Sequence, residues 1–580
     1  MKWLFFLFLF LLVFSPVTAS SDSITLLSVF QSSTNETLRG GTAELYLQIR
    51  PGTGSVFIDS FPLTQLDTQV ATRLANEIAC EFSPVDCLQF DFFYTIRSGS
   101  SLISGPSGGA AATVLTLAVL EGVPLRDGVA MTGAISSGGI ITPVAGVPEK
   151  ILAGQEHGSQ HVLVPLLGFD DQFISGENFS RDYREDFSVP IHLVVSLDQA
   201  FYYATGRSFP LPPSSIEVPE FYLSQMEATS QELCLRTEKL FTVVSSLIQF
   251  EDSSSRFDSA ESFFNRSKDP SLSSYARASL CYSANLPLRE LYFDSYTQDQ
   301  KVQRLQQLLE DVSLFSQTIE QQPIRSFVDL ETLSIVTERL LETRGYLRDI
   351  NSTNISSRQL ALAVERYASA VAWSGFFNSP APDLFINERI IQQACYREIR
   401  SVENRLNYLR SNLPPDFLTR VEDELTQTYR YQNSGDYVQC LFKASQTKAL
   451  ANIFFTTIGL AQDYLPQVID AKASRVEQVI AKQDAFPILG YSYYTYALSL
   501  VEEDPSSALL FLEYALTFSD LSNYFENSSF SWRRALLQYE SFITFVTGLI
   551  LGIACCLPWL RKNPKKTSLA SKKSLPGKKR

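Results

Sequence analysis

Two short stretches of the 580-residue chain combine residue types that could do chemistry. Residues 104–109 have the sequence Ser-Gly-Pro-Ser-Gly-Gly, which predicts a turn with Ser107 at the start of a helix. Residues 146–150 have the sequence Gly-Val-Pro-Glu-Lys, with Lys150 in the first turn of another helix. A serine becomes an effective nucleophile when a base takes its proton, and a buried lysine with a lowered pKa can be that base. Each stretch alone is more typical of an ordinary role, with Ser107 as a helix cap and Lys150 as a solvent-facing side chain.

A third motif lies between these stretches. Residues 131–135 have the sequence Met-Thr-Gly-Ala-Ile, and Lys150 follows Ser107 by 43 residues. In order and spacing, the three stretches resemble the D-G-P-S-A-G, M-T-G-E-I and G-G-x-x-E-K motifs of the Lon protease proteolytic domain, and no gap is needed between Ser107 and Lys150. The likeness covers roughly residues 41–206.

The resemblance implies an α+β proteolytic domain of the Lon type and a serine endopeptidase with a Ser-Lys dyad. Ser107 would be the nucleophile and Lys150 the general base. By the same likeness, Thr132 would hydrogen-bond Lys150, and Gly105 and Gly108 would let backbone and substrate approach closely. The helix that begins at Ser107 would direct free backbone N–H groups at the oxyanion of the reaction.

This chain departs from the family pattern at several positions. Ser104 stands where the family has an acid, and Ala134 stands where its hairpin has a glutamate. Asp91 keeps an acid at the base of the loop before the nucleophile. We therefore keep an alternative function: a catalytically inactive Lon-like fold that serves as a membrane-anchored binding or envelope scaffold protein.

The ATPase module of the Lon proteases has no counterpart in the sequence. No G-x-x-x-x-G-K-[ST] phosphate-binding loop is present, so we expect ATP-independent cleavage and no nucleotide cofactor. Only three histidines and no C-x-x-C pair occur, and we therefore expect no metal site. The net charge of −14 argues against a nucleic-acid partner, which favours a basic surface. The expected partners are a protein or peptide substrate and, by family likeness, further copies of the chain.

The elements around the candidate dyad follow from hydrophobic periodicity and turn residues. We predict strands at 43–50, 55–61, 88–97, 161–166 and 191–197, helices at 66–82, 106–120, from 148 and at 198–205, and a β-hairpin at 129–144. These elements make up a proteolytic domain at 20–206. A Pro-rich linker at 207–218 follows, and then an all-α region at 219–540 with apolar stripes typical of helical hairpins or a solenoid.

The two ends predict export and membrane anchoring. Residues 1–19 have a basic residue, an apolar run and small residues before the end, as in a signal peptide; an uncleaved signal anchor is the alternative. Residues 541–560 predict one C-terminal transmembrane helix, and 561–580 a basic cytoplasmic tail. The expected localisation is a single-pass membrane protein with an extracytoplasmic N-terminal ectodomain. This arrangement resembles an archaeal group of membrane-anchored Lon-like peptidases.

Six cysteines lie between the two predicted hydrophobic ends, and an even number permits disulfides. Spacing does not determine their connectivity. Pairing of neighbours along the chain would join 80 with 87, 234 with 281 and 395 with 440.

Overall fold

A computed structural model describes the following parts of the chain: residues 20–31, 38–61, 63–99, 105–166, 187–209, 215–247, 254–348, 354–382 and 386–526. Residues up to Phe525 form one unit. The second unit begins at Glu526, and all of it after that residue lies outside the described parts. The account below concerns the first unit.

A seven-stranded mixed sheet forms the centre of the N-terminal region, with strand order β3-β4-β2-β1-β5-β8-β9. Antiparallel pairing joins β1 to β2 and β2 to β4, and the other neighbours are parallel. A separate antiparallel pair, β6 and β7, follows β5 in the chain. The strands are β1 (Ser20–Gln31), β2 (Leu38–Pro51), β3 (Val56–Phe61), β4 (Phe90–Ser98), β5 (Val129–Met131), β6 (Ala134–Ser136), β7 (Ile140–Thr142), β8 (His161–Pro165) and β9 (Ile191–Val194).

Side-chain alternation explains why these segments form a sheet. In β2, the buried residues Ala43, Leu45 and Leu47 recur at every second position, and the positions between them are less buried. A period of two places these side chains on one face of the sheet. Helices therefore cover this face, and polar residues such as Gln48 lie on the opposite face of the strand.

Four helices belong to the N-terminal region. They are α1 (Leu66–Phe82), α2 (Gly109–Glu121), α3 (Val147–Glu156) and α4 (Leu197–Thr205). Helix α2 is the innermost, since every residue from Gly109 to Val119 is buried. It shares one core with α1 and α4 on one face of the sheet, whereas Val147 and Ile151 of α3 pack in another core with Leu27 of β1.

The rest of the described chain is helical and has its own apolar core. Its α-helices are α5 (Glu220–Leu247), α6 (Ser254–Arg266), α7 (Ser274–Asp294), α8 (Gln298–Glu320), α9 (Phe327–Arg348), α10 (Ser357–Trp373), α11 (Glu388–Asn412), α12 (Pro415–Ser434), α13 (Tyr437–Thr457), α14 (Leu465–Lys482), α15 (Ile488–Leu500), α16 (Pro505–Ser519) and α17 (Asn523–Glu526). The prediction of a mixed α/β region followed by an all-helical region is confirmed.

The described parts of the chain contain three disulfides, each between cysteines that are neighbours along the sequence. Cys80 bonds to Cys87 beside α1, and the other two pairs, Cys234–Cys281 and Cys395–Cys440, each link two helices of the helical region. Each links segments that already pack together, which restricts the unfolded chain and stabilises the native one.

Two predicted elements differ from the structure. Strand β1 was not among the predicted strands, although it lies in the middle of the sheet. The predicted hairpin at 129–144 begins too early, because β5 pairs with β1 and β8 and only β6 and β7 form the hairpin. The hairpin error arises because the partners of β5 lie far away in sequence, whereas β1 also pairs with β2, the next strand of the chain.

The prediction of a single-pass membrane protein requires a correction. Within the described parts of the chain, no helix is both long enough and apolar enough to cross a membrane. The segment predicted to do so, 541–560, lies outside those parts, as do the signal peptide at 1–19 and the tail at 561–580. The predicted localisation is not supported and is not carried further.

A buried polar cluster joins the N-terminal and helical regions. Ser137, at the tip of the β6–β7 hairpin, donates to Glu513 of α16 at 2.7 Å. Lys472 of α14 donates to the Ser137 carbonyl at 2.9 Å and forms an ion pair with Glu513. Both charged side chains are fully buried, so each depends on the other for compensation.

Lys472→Met should therefore destabilise the protein strongly, because it leaves the Glu513 carboxylate buried without its cation. The expected loss in the free energy of unfolding is about 3–5 kcal/mol, measured by chemical denaturation. The exposed Lys482 on the same helix provides a matched control through Lys482→Met. Adding Glu513→Leu to Lys472→Met should recover most of the loss, since it removes the unpaired charge. Equal stability of Lys472→Met and the control would contradict this role.

Candidate active site

Ser107 lies in the turn immediately before α2. Gly108 is the N-cap residue of the helix, and Gly109 N donates to Pro106 O at 2.8 Å. Ser107 itself is half-buried, whereas the helix that follows is fully buried. The free N–H groups at the start of a helix favour negative charge. This position therefore suits a nucleophile whose attack creates an oxyanion.

The turn is attached to the segment that follows β5. The Ser107 carbonyl accepts hydrogen bonds from Gly133 N at 2.9 Å and from Thr132 Oγ1 at 3.4 Å, and Ala110 N donates to the Gly133 carbonyl at 3.0 Å. Gly133 has a φ of +149°, and a Cβ there would approach Ile141 Cγ2 to 2.8 Å. Glycine is thus required at 133 for this attachment.

The predicted nucleophile turn, residues 105–108, contains two glycines to which a role was assigned, and their surroundings differ. Gly105 has a φ of +101° with open space around it, so its backbone conformation is what favours glycine there. A Cβ at position 108 would meet Leu26 of β1 at 3.4 Å, which is ordinary contact. The turn therefore rests against β1 through Gly108 without needing a close approach.

Lys150 lies in the first turn of α3 and is only 2% exposed. Burial lowers its pKa to about 8, although the nearby Glu149 carboxylate acts in the opposite direction. Within the described parts of the chain, no carboxylate lies within ion-pair distance of its amine. A lysine in this setting holds a substantial neutral fraction near pH 8, which is what a general base requires.

Strand β1 brings the starts of α2 and α3 to the same part of the sheet. Leu26 contacts Gly108 on one face, and Val29 would meet a Cβ on Gly146, the N-cap residue of α3, at 2.7 Å. Leu26 also pairs in register with Met131, the last residue of β5. Helix α2 therefore begins beside the carboxyl end of β5, and α3 begins against the opposite face of β1, three residues further along that strand.

Thr132 occupies this strand end and is completely buried. Its backbone N donates to the Leu163 carbonyl at 3.0 Å, and its hydroxyl donates to Ser107 O. The resemblance implied a hydrogen bond between Thr132 and Lys150 instead. A hydroxyl that donates once keeps lone pairs that can accept from an ammonium, so the contact with Ser107 leaves that second role available.

Sequence reasoning missed a contact to the nucleophile turn from α1. Gly105 N donates to Asp67 Oδ2 at 2.8 Å, and Thr68 Oγ1 donates to the Gly105 carbonyl at 3.2 Å. An acid thus does reach this turn, but from another element. The predicted supporting residue Ser104 lies outside the described parts of the chain. Asp67 gives only a local signal, that of an acid in a first helical turn, and its distant partner is not visible in the sequence.

Asp91 is not brought to the nucleophile turn. Its Oδ1 accepts from Thr53 N at 2.8 Å and from Ser55 N at 2.9 Å, and these hydrogen bonds lower its pKa. It lies near the start of β4, about 23 Å along the strand from Ser98 at the usual rise per residue. Asp91 therefore holds the turn between β2 and β3.

Comparison with known proteins gives this arrangement a context. Residues 83–196 match the family model of the Lon protease (S16) C-terminal proteolytic domain. This part of the chain is similar to the Lon proteolytic domain. The matched range contains Ser107, Thr132 and Lys150 and covers about a fifth of the chain. Asp67 and the whole helical region lie outside it.

Several curated relatives that match this chain are named Lon protease. A Lon protease of Fervidobacterium nodosum is 30% identical over 133 residues, which is 22% of this chain and 16% of that protein. A Lon protease of Haemophilus influenzae is 32% identical over 127 residues, 22% of this chain and 15% of that one. Lon protease 2 of Sorangium cellulosum is 48% identical over 95 residues, 16% of this chain and 11% of that one. The chain spans less than a fifth of each of these relatives.

Asp67→Ala should loosen the nucleophile turn, because it removes the carboxylate that accepts from Gly105 N. We expect amide hydrogen exchange at residues 105–108 to become about tenfold faster or more, as for the loss of a hydrogen bond to a charged group. Asp127→Ala serves as the control, since Asp127 is exposed before the opposite end of β5. Unchanged exchange in Asp67→Ala would show that other contacts hold the turn.

Proposed function

We propose that this chain is an ATP-independent serine endopeptidase with Ser107 as nucleophile and Lys150 as general base. The observation that carries the proposal is the buried amine of Lys150, with a pKa of about 8, in a segment similar to the Lon proteolytic domain. Burying a lysine without an acid partner costs stability. Such groups with a shifted pKa concentrate at catalytic sites.

The proposed reaction uses the two residues in turn. The neutral amine of Lys150 takes the proton of the Ser107 hydroxyl as Ser107 Oγ attacks the carbonyl carbon of a peptide bond. The backbone N–H groups of Ser107 and Gly108 stabilise the oxyanion, because those of Gly109 and Ala110 already donate to the Pro106 and Gly133 carbonyls. Lys150 then gives the proton to the leaving amine, and an acyl-enzyme remains. A water molecule releases the acyl group, with Lys150 again as base.

The position of Thr132 supports this mechanism. Its hydroxyl donates to the Ser107 carbonyl, and its backbone is fixed to β8 through Leu163. A residue held in this way keeps the turn of Ser107 at the end of β5. Positioning of this kind contributes to catalysis because the reacting groups need no rearrangement. We propose Thr132 as a positioning residue.

Three further features belong to the proposal. ATP independence is supported by the absence of a phosphate-binding loop motif from the sequence. The substrate class, proteins or peptides, follows from the name of the relatives. Assembly into a homo-oligomer and an archaeal affiliation rest on family likeness alone and stay predictions; light scattering of the purified chain tests the first.

Ser107→Ala should abolish cleavage of an unfolded protein such as casein, because it removes the nucleophile. The expected loss is on the order of a thousandfold or more. The exposed Ser224 gives the matched control Ser224→Ala, which should cleave normally. A fluorophosphonate should also form a covalent adduct on Ser107 of the unmodified chain. Equal cleavage by Ser107→Ala and the unmodified chain would refute the dyad. If the unmodified, folded chain neither cleaves nor reacts, the inactive binding fold is favoured.

The pH dependence of cleavage should follow Lys150. Only the neutral amine accepts a proton, so kcat/KM should rise with pH through about 8 and level off above it. The pH dependence of kcat/KM reports the pKa of the free enzyme, whereas that of kcat reports the enzyme–substrate complex. The pKa of Lys150 in the free protein is therefore the value to compare with kcat/KM. A profile that is flat from neutral pH to pH 9 or so would contradict Lys150 as the base.

Lys150→Met should remove activity and at the same time stabilise the fold. The folded-state pKa of about 8 lies below the ordinary value of 10.5, so the buried ammonium opposes folding most at pH values below about 8. The penalty disappears as pH rises towards the unfolded-state pKa. At neutral pH the substitution should raise the free energy of unfolding by about 3 kcal/mol. The exposed Lys482 provides the control Lys482→Met, and lower stability in Lys150→Met would contradict the burial argument.

A further inference from the structure

A partly enclosed cavity of about 250 Å³ lies in the helical region, among α9, α12, α13, α15 and α16. It is separate from Ser107 and Lys150, neither of which lines it. Its lining combines both signs of charge with aromatic rings, including Glu338, Arg339, Phe442, Lys443, Tyr493 and Phe518. A cavity of this size fits a molecule smaller than the drug-sized ligands whose pockets begin at about 300 Å³.

Two of the four charged residues that line the cavity already have ion-pair partners. Glu342 forms an ion pair with Arg366 of α10, and Lys443 forms one with Glu424 of α12. These pairs neutralise one acid and one base of the lining. The other two charged residues of the lining are Glu338 and Arg339, which follow each other in α9.

The Glu338 carboxylate lies near three cations, Arg339, Lys443 and Arg366, whose charges partly offset its own. In the parts of the chain that the structure describes, no donor lies within hydrogen-bonding distance of its carboxylate. Burial and the nearby Glu342 charge raise its pKa. The Glu338 carboxylate also raises the pKa of Tyr493, whose ring is one of the aromatic rings that line the cavity. An ammonium group at this position would be attracted by the carboxylate and by the tyrosine ring.

Arg339 is bonded to neutral acceptors only. Its Nε donates to Ser369 Oγ at 2.9 Å and its Nη1 to the Ile335 carbonyl at 3.2 Å, and the guanidinium lies over the Trp373 ring at 5.2 Å. Across the described ranges, no carboxylate is within ion-pair distance of it. These contacts fix the guanidinium of a residue that lines the cavity, and arginine can bind a ligand carboxylate in two-pronged geometry.

We propose that this cavity binds a small zwitterion with an apolar side chain, the chemistry of a free amino acid or a dipeptide. The ligand carboxylate pairs with Arg339, its ammonium pairs with Glu338, and its side chain contacts Phe442 and Phe518. A ligand with both charges places an opposite charge beside each of Glu338 and Arg339, whereas an ion of one sign is attracted by only one of them and repelled by the other. Water filling the cavity is the ordinary alternative, and it predicts no ligand selectivity.

Calorimetric titration of the full chain with a matched ligand series tests the proposal. Phenylalanine carries both charges, phenylalaninamide lacks the carboxylate, 3-phenylpropionate lacks the ammonium, and glycine lacks the apolar group. Phenylalanine or the dipeptide Phe-Phe should bind, and each of the three deficient ligands should bind at least about tenfold more weakly than phenylalanine. The comparison of phenylalanine with Phe-Phe shows whether the cavity binds a free amino acid or a dipeptide more tightly. No heat from either at concentrations up to about 10 mM, or equal affinity across the series, would overturn the proposal.

Two variants assign the charges. Arg339→Gln should weaken phenylalanine binding about tenfold or more and leave binding of phenylalaninamide unchanged. Glu338→Gln should do the reverse, weakening phenylalanine and leaving 3-phenylpropionate unchanged. Arg348→Gln, at an exposed position of the same helix, is the control and should bind as the unmodified chain does. Circular dichroism checks each fold. If Arg339→Gln does not fold, Glu338→Gln and the ligand series still decide the result.

Discussion

The parallel pairing of β1 with β5 is the constraint on which the candidate site depends. It sets Leu26 beside Met131, so that the segment after β5 emerges next to the strand that both helices contact. On one face Leu26 receives the turn of Ser107, and on the other Val29 receives the start of α3. A shift of one residue in β1 would exchange its two faces and separate the helices from their contacts.

The site also shows a conflict between stability and chemistry. Lys150 is buried where an apolar side chain would cost less free energy, and the charge that acts on its pKa is that of the adjacent Glu149. Two buried lysines of the helical region do have acid partners, since Lys472 has Glu513 and Lys448 has Glu398. Lys448 and Lys472 thus belong to ion pairs on which the stability of the fold depends, whereas the burial of Lys150 lowers stability.

Local pattern predicted much of the fold but not the contacts between distant segments. Helix α1 has the predicted bounds, because apolar residues recur there at helical spacing. The place of β1 and the attachment of Asp67 to Gly105 were both missed, since each depends on a partner more than 35 residues away. For the candidate site, spacing and family likeness indicated Ser107, Thr132 and Lys150. Only the structure shows that Asp91 belongs to a different turn and that the tip of the β6–β7 hairpin is buried.

The buried tip of the β6–β7 hairpin links the N-terminal region to the helical region by noncovalent contacts. Ser137 is held by residues of α14 and α16, which follow it by more than 300 positions in the chain. Arg405 of α11 also reaches Glu77 of α1 across the same boundary, at 3.1 Å. A peptide bond cut between α4 and α5 would therefore leave two fragments that travel as one particle until the protein is denatured. The covalent connection between the regions is thus not what keeps them together.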